Sequence, residues 1–166
     1  MQRRKFLSLV GLSAVAMSVA PVALSATDWR KEKPDVWTAK SVDDAIKAMY
    51  GSKAIAEGDV TVTTPDVAAN GGAVPVNVKS GLDAKTVAIF QDANPESAVI
   101  VFDVNKYGIV NYDVKMKLKS VGDPITVTCV VETNDGKLFS GKRTLDVALG
   151  GRRVIHTLRQ MILSKP

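Results

Sequence analysis

The sequence predicts a mainly β protein: an antiparallel β-sandwich of about seven strands preceded by one short α-helix. Three observations predict it. After Gly58 the apolar residues change from helical spacing to alternation. Turn chemistry then recurs at short intervals, in Asn70-Gly71-Gly72, Gly81, Asn94-Pro95, Gly108, Asp123-Pro124 and Asn134-Asp135-Gly136. No helical pattern is interleaved with the alternating runs, which argues against a parallel sheet with crossover helices.

Residues 27–40 are polar apart from Trp29, Trp37 and a few small side chains, contain Pro34, and read as an extended lead-in. Ser41 is a good helix N-cap, and Asp44 three residues later completes a capping-box-like pattern. Val42, Ala45, Ile46, Met49 and Tyr50 then form one apolar stripe, and Gly51 closes the helix. Strands are predicted over 59–64, 73–79, 86–91, 98–104, 110–118, 125–132 and 138–149. In the run 110–118, Val110, Tyr112, Val114, Met116 and Leu118 alternate with polar residues, the pattern of a strand with one wet face. Pro75 cannot donate to a ladder and is expected at an edge or a bulge.

The formal charge of +5 is a property of the chain ends. Residues 1–26 hold three bases and no acid, residues 152–166 hold four bases and no acid, and the stretch between is slightly acidic. A nucleic-acid reader clusters its bases on the folded domain, and that pattern is absent here. Residues 1–26 read as an export signal: Arg3-Arg4-Lys5 is the charged region, Leu7 to Leu24 is apolar, and Leu24-Ser25-Ala26 offers small residues for cleavage. Gln2-Arg3-Arg4-Lys5-Phe6-Leu7 resembles a twin-arginine signal, which predicts a periplasmic destination. The apolar run is rich in Ala and Ser and broken by Pro21, so it reads as a removable leader rather than an anchor, and no membrane association is expected after removal. Residues 152–166 form a basic tail with the spacing of a short amphipathic helix.

No catalytic constellation is recognisable, and neither a metal nor a cofactor is expected. His156 is the single histidine and lies in the tail. Cys129 is the single cysteine, so no internal disulfide forms. It shares the apolar side of its strand with Ile125, Val127 and Val131, which predicts a core residue with an inert thiol. The residues alone therefore predict an exported sandwich that binds, carries or scaffolds, and not an enzyme.

Several segments together resemble the SoxY family. They are the helix 41–50, the run Glu57 to Val78 with Pro65-Asp66-Val67-Ala68-Ala69-Asn70-Gly71 and Val74-Pro75-Val76, the pair Asn94-Pro95, the hairpin Asp135 to Ser140, and Thr144 to Gly151. The resemblance spans residues 41–151 and implies an immunoglobulin-like sandwich paired with a SoxZ-like subunit in a periplasmic heterodimer. It also implies a carrier function. Members hold sulfur from compounds such as thiosulfate on a cysteine in a C-terminal Gly-Gly-Cys-Gly-Gly arm and present it transiently to other Sox enzymes. A thiolate can form such adducts, and flanking glycines let it reach into several sites. Gly150 and Gly151 match the start of that arm, but Arg152 stands at the cysteine position, and a guanidinium offers no sulfur.

Two alternatives stand beside the carrier reading: a SoxY-like binding or regulatory subunit that carries nothing, and an unrelated immunoglobulin-like periplasmic structural module. The tail itself has two explanations. A genuine paralogue is one. A frameshift is the other, because codons for Cys-Gly-Gly-stop such as TGC GGC GGG TAA contain CGG CGG GTA from the third base, and these encode Arg-Arg-Val, the residues at 152–154. Resequencing the end of the gene is expected to recover the Cys-Gly-Gly frame. An intact frame through the tail in independent reads would establish the paralogue instead.

Overall fold

The computed structural model describes residues 27–119 and 123–148. The predicted leader, the arm residues Gly150, Gly151 and Arg152, and His156 lie outside the described residues. Three helices, α1 (Trp29–Glu32), α2 (Pro34–Thr38) and α3 (Val42–Tyr50), precede nine strands. The strands are β1 (Ile55–Glu57), β2 (Val60–Thr63), β3 (Val67–Ala68), β4 (Val74–Ser80), β5 (Ala84–Gln91), β6 (Ala98–Asp103), β7 (Val110–Met116), β8 (Ile125–Thr133) and β9 (Leu138–Val147). They build a six-stranded sheet in the order β1-β9-β8-β5-β6, with β3 also on β9, and a three-stranded sheet in the order β2-β4-β7. The two-sheet, mainly β architecture is the one the alternation predicts.

Two strands escape the sequence pattern. β1 and β3 both pair with β9 in parallel, β1 along Leu138–Ser140 and β3 along Asp146–Val147. They are three and two residues long, too short to alternate. The segment from residue 55 to 68 therefore leaves the large sheet, crosses to the small one as β2, and returns. That crossing is tight. A Cβ at Gly141 would lie 2.1 Å from the Val60 carbonyl oxygen, and one at Gly58 would lie 2.4 Å from the Phe139 ring.

The extended lead-in is corrected to two short helices. Pro34 does not break the segment; it opens α2 at a position where the missing N–H costs nothing. Packing between the tryptophans completes it. The Trp37 indole donates to the Trp29 carbonyl at 3.2 Å, the Arg30 guanidinium lies 4.5 Å from the Trp37 ring, and Val36 is fully buried. α3 follows its sequence pattern: the Ser41 hydroxyl accepts from the Asp44 N–H at 3.1 Å, and Gly51 adopts φ 75°.

The helices form a third layer on the outer face of the large sheet. Parity divides the central strand β5 between two cores. Val87 and Ile89 face the small sheet, while Ala88 and Phe90 meet Val36, Ala45 and Met49 of the helices. β8 divides likewise, with Val127, Cys129 and Val131 inside the sandwich and Val130 under the helices. Covering both faces explains the continuous apolar runs in these strands. Tyr50 ties the layers together. Its hydroxyl lies 3.2 Å from the Thr86 hydroxyl, beside Glu132, which pairs with Lys53 at 2.9 Å. Burial is the main cause that holds the Tyr50 phenol above its ordinary range. Pro75 sits in β4, the middle strand of the small sheet, but β2 covers only Asn77–Ser80 of β4, so Pro75 faces an open flank.

Cys129 is fully buried, and burial pushes its thiol up to about 12. In the unfolded chain a cysteine ionises near about 8.5. Between those values the unfolded state holds fewer protons than the folded one, so stability falls as pH rises. Urea unfolding reads both the tight crossing and the buried thiol. Gly141→Ala is expected to lose about 2–3 kcal/mol, the upper part of the overpacking range, because the obstacle is main chain. The urea midpoint of the unaltered protein is expected to fall between about pH 8 and about pH 10, and Cys129→Ala to flatten that fall.

Candidate functional site at the root of the C-terminal segment

The described chain ends one residue beyond β9, so the structure shows what holds the base of the segment carrying Gly150, Gly151 and Arg152. Three pieces of chain converge there. The first is β3. The Asp146 N–H donates to the Asp66 carbonyl at 2.9 Å, and the Ala148 N–H donates to the Ala68 carbonyl at 2.9 Å. Asp66 also pairs through its carboxylate with Arg143 of β9. The second is the turn after β3. The Asn70 side chain accepts from the Gly72 N–H at 2.8 Å, and the Gly71 carbonyl accepts from the Leu118 N–H at 2.7 Å. A Cβ at Gly71 would lie 2.5 Å from the Leu118 carbonyl oxygen and 2.9 Å from the Val147 side chain. Glycine is needed here for close approach, not for an unusual backbone angle.

The third piece is the loop after β5. Asn94 donates through Nδ2 to the Lys117 carbonyl at 2.8 Å and accepts at Oδ1 from the Lys119 N–H at 3.0 Å. Its side chain thus takes the place of a neighbouring strand beyond the end of β7. Gln91 is almost fully buried and holds the loop in turn. Its Oε1 accepts from the Ala93 and Asn94 N–H groups, each at 2.7 Å, and its Nε2 donates to the Glu96 carbonyl at 2.7 Å. Gln91, Asn94, Pro95, Glu96, Lys115 and Lys117 border an open hollow of about 460 Å³ beside this brace. The sequence flags Asn94-Pro95 and the turn at 65–71 only through resemblance. Their work is to satisfy main-chain groups of distant strands, and that leaves no local signature.

Cys129 is not part of this site. It sits in mid-strand, paired with Gly141 and Ile89, and is fully buried. Among the described residues, no cluster of His, Cys, Asp or Glu has the grouping of a metal site.

A second surface stands out. The outer edge of β9 is occupied by β1 and β3, whereas β6 pairs only with β5 among the described residues. Its residues Ala98, Val99, Ile100, Val101 and Phe102 carry no charge and are all half-buried. Phe102 stacks on Tyr112 of β7 with ring centroids 4.3 Å apart. The loop beyond exposes Tyr107 and Ile109, at 86% and 83% of their full area. An uncharged open edge next to exposed apolar side chains can accept a strand from another chain.

Comparison with known proteins bears on both surfaces. A family model described as sulfur oxidation protein SoxY matches residues 46–151, a range that includes β3, the Gly71 turn, the Asn94 loop and all of β9. The solved structure of the sulfur carrier protein SoxY from Chlorobium limicola f thiosulfatophilum is 31% identical, with a TM-score of 0.58 over 65% of this chain and 96% of that one. A superoxide reductase (neelaredoxin) from Ignicoccus hospitalis is 12% identical, with a TM-score of 0.48 over 55% of this chain and 81% of that one. No curated protein matches. With the family model covering the sandwich and its last strand, this chain belongs to the SoxY family.

Proposed function

We propose that the chain is a carrier-type subunit of sulfur-compound oxidation, working in the periplasm as half of a heterodimer with a SoxZ-like subunit, and that the polypeptide ending in Arg152 and its tail is a non-loading form of it. The observation that carries this reading is where the family match stops. It runs through the strand and the two glycines and ends at residue 151, immediately before Arg152. The base of the arm is built as a carrier needs, while the position that should supply sulfur supplies a guanidinium. Cys129 does not stand in for it, being fully buried, held as a thiol and fixed in a central strand.

A partner subunit is supported by the open β6 edge and the exposed Tyr107 and Ile109, which suit a second sandwich better than open water. The twin-arginine-like leader supports export, and a pathway that moves folded proteins suits a subunit that pairs before it leaves the cytoplasm.

The test is intact mass of the chain expressed with a SoxZ-like subunit in a host that oxidises thiosulfate. The chain as it stands is expected to co-purify with the partner and to gain no sulfur adduct. Arg152→Cys is expected to gain one, and Ile109→Lys to co-purify at least tenfold less well, the effect of about 1.4 kcal/mol at an interface. A stable thiosulfate-dependent adduct on Cys129, or no partner capture at all, would overturn the reading.

A further inference from the structure

Asp103, the last residue of β6, has both carboxylate oxygens committed to the start of the described chain. Oδ2 accepts from the Thr27 main-chain N–H at 3.2 Å, and Oδ1 accepts from the Trp29 indole Nε1 at 3.1 Å. The Trp29 N–H donates back to the Thr27 carbonyl at 3.1 Å, which turns the chain so that both donors reach one side chain. The other acid nearby in sequence, Asp28, is paired with Lys31 at 3.1 Å. A carboxylate fixed against a main-chain nitrogen is ordinary. It is less ordinary that the nitrogen belongs to the residue just after the predicted cleavage motif.

We propose that the leader is removed at the Ala26–Thr27 bond, and that the α-ammonium created on Thr27 forms an ion pair with Asp103 that the precursor cannot make. This rests on the export reading above. The sequence alone leaves two adjacent bonds open, because Ala26 and Ser25 are both small enough for the residue before the cut, with Leu24 or Ala23 two positions further back. Of the two cuts, only the later one places the new charge at Asp103. Hydrolysis at 26–27 puts the hydroxyl of water on the Ala26 carbonyl and its proton on the Thr27 nitrogen. The new Ala26 carboxylic acid gives up its proton and the amine takes one up, so that an amide nitrogen with one hydrogen becomes an ammonium with three, at a position 3.2 Å from a carboxylate oxygen. A hydrogen bond in which only the acceptor carries charge becomes an ion pair in which both partners do. A cut one residue earlier would put the charge on Ala26 and leave Thr27 a neutral amide.

The pair sits where it has a mechanical consequence. α1 and α2 cover the face of β5 and β6, and Asp103 closes the end of β6. Maturation therefore tightens the attachment of the N-terminal helices to β6, whose outer edge is unpaired among the described residues.

The test takes the full chain, exported and purified. N-terminal sequencing and intact mass are expected to give Thr27 as the first residue. An NMR titration of the α-amino group is expected to place it above the ordinary range of about 7.7–8.0, and Asp103→Asn to return it to that range. Asparagine keeps one acceptor, for the Trp29 indole, and replaces the charged oxygen facing Thr27 with an amide nitrogen, so a folding failure is not expected, and the cleavage position is read without any variant. A first residue of Ala26, or an α-amino group that titrates alike in both proteins, would overturn the proposal. Exported protein that keeps residues 1–26 would instead overturn the reading of those residues as a removable leader, on which it rests.

Discussion

The outer edge of β9 is the constraint on which the rest of the structure depends. β8 occupies one side of this strand in regular antiparallel register. The other side must be filled at both ends and yet let β2 pass across its middle, where the Val60 carbonyl lies against Gly141. One segment, residues 55–68, meets all three demands by running beside β9, crossing to the small sheet and coming back. The two sheets are thereby joined through main chain as well as through the packed core. Only a residue without a side chain fits at 141, because the obstacle is a backbone oxygen that cannot move aside without pulling β2 from β4. Fixing β9 along both edges also fixes the position of its last residue, Val147.

How legible each part is in the sequence depends on whether its cause is local. α3 is legible because its cap, its stripe and its terminating glycine lie within eleven consecutive residues, 41 to 51. The long strands are legible by alternation or, in β5 and β8, by apolar runs that both cores require. β1 and β3 are not legible, since their pairing is main chain to main chain with a strand some eighty residues away and asks nothing of their side chains. The helices α1 and α2 are hidden for another reason: short helices gain little from propensity, and these are held by one indole donating to the carbonyl beside the other and by burial of Val36 against the sheet. Pro34 points to a break or to a first turn with equal force, and only the packing decides. At the candidate site, Gly150 and Gly151 stand out in the sequence through resemblance alone, while Gly71, Asn94 and Gln91, which brace the chain around the end of β9, reveal themselves only once Leu118 and Lys117 are seen beside them.

On the proposed carrier reading, the chain separates two requirements that a covalent carrier normally joins. Anchoring the arm needs strand pairing, close approach of backbones and side chains that replace a missing neighbour strand; β3, Gly71 and Asn94 supply these. Loading the arm needs a thiol that is exposed, able to ionise and free to move. Cys129 has the opposite of each property, and for one reason: it faces the sandwich core from the central part of the large sheet. The same burial that makes it useful to the fold makes it useless as a nucleophile.

The hydrogen bonds described at the end of β9 are all made by residues up to 148. A change confined to codons after 151 leaves the residues that make every described hydrogen bond, both cores and the open β6 edge unaltered, so selection on those described contacts would not detect it. That asymmetry gives a simple physical account of how a chain can match its family from the helix to the last glycine and then depart from it at the very next residue.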